Sequence, residues 1–343
     1  MNAASRRMRL WLILLAILYA SVLFGGFIAP YAPNEQNRSA PFTAPTRLRF
    51  VDTTGRTHLR PFVYRLVSRP GAFDEYDEDR SRPYPVRFLV RGTPYTIAGL
   101  SADRHLFGVD EPAKIFLFGT DQFGRDLFSR LLFGAKISLV AGVLAASLAL
   151  GLGIALGSLA GYYEGWTDDG IMRMAELFLA LPWLYLLLAV RSMLPLHIDP
   201  GRAFLLLVTV IGFVGWARPA RLIRAIVLSA KHRDHVVAAR AFGATDLYLL
   251  RRHVLPQTAG VVLTQLTVLV PRYILAEVTL SFFGLGVAEP VPSWGNMLAA
   301  VQRYDVLTSY WWMFLPGIAL GPVFLLYYEL ADAFHHELAH QSV

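Results

Sequence analysis

The chain has 343 residues, of which 55% are hydrophobic and only 17% charged, with a mean hydropathy of +0.44. Soluble globular chains carry roughly 25% charged residues, and here the apolar residues come in runs, which argues against a single oversized water-soluble core and for a bilayer. The net charge of +7 accompanies arginines set beside those runs, the pattern of cytoplasmic loops rather than of a nucleic-acid surface, and the lack of cysteine excludes disulfides and thiol chemistry.

The first run, Leu10 to Ile28, follows Arg6, Arg7 and Arg9. About 20 apolar residues span a bilayer as a helix, and the basic flank predicts a cytoplasmic N-terminus. A cleaved signal peptide would have a shorter apolar region and a small-residue cleavage site. Ala29-Pro30 follows instead, so residues 1–30 read as an uncleaved anchor. Ser5-Arg6-Arg7 is only a loose match to a twin-arginine signal.

Residues 31–118 are polar and rich in Pro, Arg and Asp, too long for a structureless connection. Arg47–Val51 and Thr57–Val67 flank Asp52-Thr53-Thr54-Gly55, a hairpin signal, and Tyr84–Arg91 alternates in part through Val86, Phe88 and Val90. The expectation is a small β-rich extracytoplasmic insertion. Asp74 to Asp79 is an acidic cluster that lacks the glycine and spacing of a calcium loop and reads as a solvated loop.

Gly119–Lys136 forms an amphipathic lead-in. Apolar regions then cover roughly 137–161, 171–195, 203–217, 258–286 and 311–331, which with the first predicts six spans. Alternation puts 31–136 outside, 162–170 inside, 196–202 outside, 218–257 inside, 287–310 outside and the C-terminus inside. The 218–257 loop carries eight Lys or Arg residues against Asp234 and Asp246, which agrees with a cytoplasmic position. Glycines 142, 151, 153, 157 and 161 mark the second span as a closely packed helix. Pro182 predicts a bend in the third.

Ionisable residues at membrane depth are costly and therefore informative. Glu176 and Glu277 are equally open to a polar path and to a structural role, whereas Arg173, Arg191 and Arg272 are read as reaching back to an interface. His336-Glu337-Leu338-Ala339-His340 matches the H-E-x-x-H zinc pattern. An intramembrane zinc peptidase is the alternative this raises. The motif lies in the last few residues, 336–343, without a visible third ligand, so it reads as a cytoplasmic tail. The chain has no G-x-x-x-x-G-K-[ST] loop for ATP phosphates, so uphill transport would need an external engine.

The basic loop has its own logic. Ala238, Ala239 and Ala241 are small helix formers, Gly243 suits a left-handed helix end, and Leu247, Leu250 and Val254 recur at helical spacing before Pro256. Helix, sharp turn, helix is a shape suited to a partner's groove.

The stretch from Ala238 to Leu247, with His253-Val254-Leu255-Pro256, resembles the EAA loop of binding-protein-dependent ABC importer permeases, and more narrowly the C-type subunit of the dipeptide/oligopeptide/nickel group. Gly119–Asp126, Ile274–Glu277, Ser281–Gly286 and Pro292–Gly295 match further motifs of that family, so the resemblance covers about 119–335 and the N-terminal anchor. It implies an all-α polytopic protein with the type I permease fold, a 119–335 core with five transmembrane helices after the first, no cofactor and no catalytic residue. It also implies a bacterial inner-membrane location. The expected partners are a B-type permease subunit, two cytoplasmic ATPase subunits and an extracytoplasmic binding protein, within membrane lipid and without nucleic acid. The expected cargo is a di- or oligopeptide, with nickel or another small solute as the alternative. Val237, Ala238, Ala239, Arg240, Gly243, Asp246, Leu255 and Pro256 are the residues it assigns to ATPase coupling. Two departures stand out: Val237 occupies the family's glutamate position, removing the carboxylate expected to pair with the ATPase, and the segment from about 37 to 115 is longer than the usual connection.

Overall fold

A computed structural model describes residues 3–69, 71, 75–97, 99–193 and 199–341. It is mostly helical. In chain order the helices are α1 (Ala3–Leu23), α2 (Gly25–Ile28), α3 (Leu127–Tyr163), α4 (Gly165–Ala180), α5 (Trp183–Ser192), α6 (Pro200–Val214), α7 (Ala217–Ala230), α8 (Asp234–Ala241), α9 (Asp246–Leu249), α10 (Ala259–Phe282), α11 (Trp294–Ala299), α12 (Tyr304–Ser309) and α13 (Leu315–Gln341). Among the described residues, five strands fall between α2 and α3: β1 (Arg49–Val51), β2 (Thr57–Ser68), β3 (Tyr76–Pro85), β4 (Arg87–Ile97) and β5 (Leu100–Gly108).

Among the described residues, Leu127–Tyr163, Asp246–Phe282 and Trp311–Phe334 are long and apolar enough to cross a membrane. Two bent pairs, α4 with α5 and α6 with α7, raise the number to five if each is one span. The first apolar run does not join this set. Arg6, Arg7 and Arg9 take up the start of α1, and the helix is interrupted at Phe24 before α2. The bend of 96° between α4 and α5 falls at Pro182. Proline lacks the N–H for the helical ladder and forces the preceding residue into extended backbone, and Leu181 has ψ of 138°. The 45° bend between α6 and α7 means the helix carries on past Ala217 to Ala230, where the sequence reading began a loop at 218. Ala217, Ala220, Ile223, Val227 and Ala230 are buried at helical spacing, so burial of one α7 face holds that extension in helix.

The chain divides into two compact units, Met1–Leu15, Leu139–Leu280 and Pro322–Val343 forming one, and Ala16–Ser138 with Ser281–Gly321 the other. In the first unit the glycine face of α3 packs on α7. A Cβ at Gly157 would lie 2.4 Å from the Ala220 carbonyl oxygen, and one at Gly161 2.7 Å from that of Arg224. The G-x-x-x-G spacing therefore serves contact within the chain, at backbone-to-backbone distance. Ala175, Trp216, Ala217 and Ala220 bury a second cluster between α4 and α7. The Tyr273 hydroxyl, from α10, donates to the Gly215 carbonyl at 3.2 Å. Arg7 donates to Glu329 at 2.5 Å and pairs with Asp332 at 3.4 Å, which holds α1 against α13.

In the second unit β1, β2 and β3 form an antiparallel sheet, and β4 and β5 form a separate antiparallel pair. Asp52 accepts from the Thr54 amide at 2.8 Å and Gly55 has φ of 82°, so the β1–β2 turn is built from the residues that signalled it. The Tyr84–Arg91 segment is not one strand. At Val86 the chain leaves β3, paired with β2, for β4, paired with β5. Within the acidic cluster, Asp77 pairs with Arg69 and Glu78 with Arg49, so these carboxylates serve ion pairs on the sheet; Asp74 lies outside the described residues. Val63, Tyr84, Val86, Phe107, Ala113 and Ile115 make the unit's core. Within the 119–136 lead-in, residues 119–126 form a turn and helix begins at Leu127. Asp121 accepts from Phe123 and Arg125 amides at 2.8 and 3.0 Å, and Asp126 accepts from the Ser129 amide at 2.8 Å at the start of α3. Glu289 bridges Arg125 and Arg130 at 2.8 Å each. Ser293 caps α11 in a capping box, and the Trp294 indole donates to the Leu131 carbonyl at 3.0 Å. The 119–126 and 292–295 motifs, distant in sequence, thus meet around the first turns of α3.

Candidate functional site

The site is the hairpin between α7 and α10. α8 ends in a left-handed Gly243 with φ of 86°. The Gly243 amide donates to the Arg240 carbonyl at 2.9 Å and the Ala244 amide to the Ala239 carbonyl at 3.2 Å. These two bonds form a Schellman closure, which reverses the chain and satisfies the last carbonyls of the helix. Among the described residues, nothing lies within 4 Å of where a Gly243 Cβ would sit, so backbone conformation, not space, demands glycine there.

The return limb is α9, then a π turn over Leu250–Val254 and a 3-10 turn over Leu255–Thr258. The π turn changes which residues face inward. Leu249 and Val254 are fully buried, while Leu247, expected on the apolar stripe, is exposed beside Tyr248. Val236, Leu249 and Val254 pack with Tyr162, Ile223, Val227 and Ala230, so the base of the hairpin belongs to the helical core.

Polar contacts lock that base. The Tyr162 hydroxyl, at the end of α3, donates to Asp246 at 2.7 Å and accepts from Arg240 at 2.8 Å. Arg240 lies 3.5 Å from Asp246, and its guanidinium sits over the Tyr162 ring. These partners hold the Arg240 guanidinium above its ordinary pKa, chiefly through the Tyr162 hydroxyl. Lys231 donates to the Tyr162 carbonyl at 3.0 Å and pairs with Glu164. That ammonium holds the Glu164 carboxyl below its usual range. Arg224 pairs with Asp168 on α4.

The tip is apolar and open. Phe242 is 92% exposed, and Val237, Leu247 and Tyr248 are each more than half exposed. Of the residues predicted from sequence, Arg240 and Asp246 come together in the lock, and Val237, Ala238 and Gly243 lie on the exposed limb. Ala239 packs against the buried base, while Leu255 is half-buried and Pro256 exposed at the root of α10. Sequence reasoning missed Tyr162, Glu164 and Lys231. Only the basic surplus of the loop opposite an acidic 162–170 turn hinted at their pairing.

Glu176 is exposed on α4, and Glu277 is fully buried in α10. Arg272 lies over the Trp183 ring at 4.8 Å. The side chains of Arg191, His336, Glu337 and His340 lie outside the described residues. Among the described residues, no three His, Asp or Glu side chains gather as a metal site.

Residues 153–340 match the family described as binding-protein-dependent transport system inner membrane component. The dipeptide transport system permease protein DppC of Bacillus subtilis is 35% identical over 228 residues, covering 66% of this chain and 69% of that protein. The oligopeptide transport system permease protein OppC of the same organism is 37% identical over 215 residues, covering 62% and 68%. The glutathione transport system permease protein GsiD of Pectobacterium atrosepticum is 33% identical over 227 residues, covering 66% and 73%.

Proposed function

The chain belongs to the binding-protein-dependent transport system inner membrane components, and from that premise we propose that it forms half of the pore of an ATP-driven peptide importer. It is a membrane-embedded transport component, not an enzyme. Its hairpin, residues 231–258, is the docking element for a cytoplasmic ATPase. The observation that carries this is the exposed apolar tip at Phe242 on a base locked to α3. An apolar knuckle exposed to water needs a partner, and a rigid base lets a push on the knuckle reach the membrane helices. With Val237 in the glutamate position, the contact is apolar at a place where the family resemblance implies an ion pair.

Six spans make up the proposed topology: α1 with α2, α3, α4 with α5, α6 with α7, α10 with its lead-in, and α13 with Trp311–Phe314. The Tyr162–Asp246 and Lys231–Glu164 contacts support the α3–α4 turn and the hairpin sharing one side. The Arg7–Glu329 contact supports a common side for the two termini, which the basic loop assigns to the cytoplasm. Residues 31–118 form the extracytoplasmic insertion. A B-type permease subunit, two ATPase subunits and an extracytoplasmic binding protein complete the complex. The dipeptide, oligopeptide and glutathione relatives favour short peptides as cargo.

Phe242→Asp tests the docking. Co-purification from mild detergent should lose the ATPase subunits while the variant still inserts in the membrane. Retention of ATPase at the wild-type ratio, with normal peptide uptake, would remove Phe242 from the interface.

A further inference from the structure

The end of the β4–β5 hairpin is built differently from the rest of the polar insertion. Between Arg91 and Asp103 the chain carries no charged residue, although charge is dense on either side. The strands pair Arg91 with Arg104, Tyr95 with Ala102 and Ile97 with Leu100. The charged residues therefore sit together across the hairpin, and the uncharged ones occupy its far end. Leu100 there is 76% exposed. Toward the hairpin's base the charges are used in water: Arg87 pairs with Asp110 at 2.6 Å and Arg91 approaches Asp103 at 4.0 Å.

The hairpin packs on α2, where the first apolar run ends. Buried His105 shares a hydrogen bond with the Ala29 carbonyl at 2.6 Å through Nδ1 and with the Thr93 carbonyl at 3.0 Å through Nε2. One helical turn earlier, a Cβ at Gly26 would lie 2.6 Å from the Tyr95 ring. Passing from Thr93 to Tyr95 thus moves from Ala29 back to Gly26, along the run toward Leu23. At about 3.3 Å per strand residue, Ile97 and Leu100 lie roughly 7 Å further in the same direction. Leu23, the last residue of α1, and Phe24, at the break before α2, are themselves exposed and apolar.

We propose that this hairpin end, through Ile97 and Leu100, seats in the lipid surface at the boundary where the first membrane helix ends. This rests on the reading of the Leu10–Ile28 run as a membrane span. The geometry also limits the depth. A two-stranded ribbon has unpaired edge N–H and C=O groups, which the hydrocarbon centre cannot satisfy. Seating therefore stops at the headgroup and upper acyl region, about 5–10 Å deep, where other amphipathic anchors lie. Lipid is favoured over a protein occupant by the charge-free stretch being continuous with the apolar run it packs on, while the charged part of the hairpin stops short of it.

The chain's lack of cysteine makes the test direct. Single cysteines replace Leu100, Ile17 on α1 and Leu59 on β2, all exposed, in the full-length chain in liposomes of phosphatidylcholine and phosphatidylglycerol. Each carries a nitroxide whose relaxation by oxygen, enriched in lipid, is compared with that by a water-soluble nickel chelate. The oxygen-to-nickel ratio at Leu100 should be several-fold above that at Leu59 and below that at Ile17. A Leu100 ratio equal to that at Leu59 places the hairpin end in water and overturns the proposal. A Leu100 label shielded from both agents also overturns it, because protein then covers the site. A water-like ratio at Ile17 instead removes the span itself, which separates failure of the premise from failure of the inference.

Discussion

Tyr162→Phe isolates the lock beneath the hairpin. The substitution keeps the ring in its buried cluster and removes only the oxygen that donates to Asp246 and accepts from Arg240. Hydrogen bonds to charged groups contribute about 1.5–3 kcal/mol when buried. Here the Arg240 and Asp246 side chains are 52% and 55% exposed, so water replaces much of what each loses. Taking about 1 kcal/mol for each of the two bonds gives about 2 kcal/mol, or about 30-fold in the equilibrium between docked and released hairpin. Amide hydrogen exchange of the full-length chain in lipid nanodiscs reads this directly. Peptides covering Val237–Ala241 should exchange about 30-fold faster in the variant, while those from the middle of α3 stay unchanged. Tyr163→Phe is the control, since its ring is exposed. Equal exchange in wild type and Tyr162→Phe, or the same acceleration in Tyr163→Phe, would refute the lock.

Two further outcomes follow from packing and burial. Gly157→Val should cost about 2–3 kcal/mol, because its Cβ meets the Ala220 backbone and only movement of α7 can relieve the clash. Gly151→Ala, where no described residue lies within 4 Å, should be neutral or stabilising; equal melting temperatures for the two variants in detergent would contradict the α3–α7 packing. Burial pushes the Asp126 carboxyl from 3.8 up to about 7. Between these values the folded chain keeps a proton that the unfolded chain has released. The stability this group confers is thus complete below 3.8, falls as pH rises and is gone above about 7. The stability difference between wild type and Asp126→Asn should change across that window and flatten above it, and a constant difference throughout would exclude a buried, proton-holding carboxyl.

Local pattern alone carried several conclusions. Runs of apolar residues marked a membrane chain, since insertion depends on composition over a length comparable to the bilayer. The alanines before Gly243 announced the hairpin, because a left-handed helix end selects glycine by backbone sterics whatever the rest of the fold does. Ordered motifs placed the chain in its family for a similar reason: each is a short, contiguous segment. Periodicity failed where a residue's surroundings come from far along the chain. Leu247 looked like part of a buried stripe until the π turn rotated Leu249 inward instead. Tyr84–Arg91 alternated like one strand but changes partner at Val86. No local signal shows that the Tyr162 hydroxyl meets Arg240 and Asp246, about eighty residues on. The sequence by itself determined that the chain belongs in a membrane and that it reverses at Gly243, because composition and turn chemistry depend on neighbours in the chain. Only the tertiary structure decided which polar groups lock the hairpin and which apolar ones remain open, because those depend on partners that folding alone brings within reach.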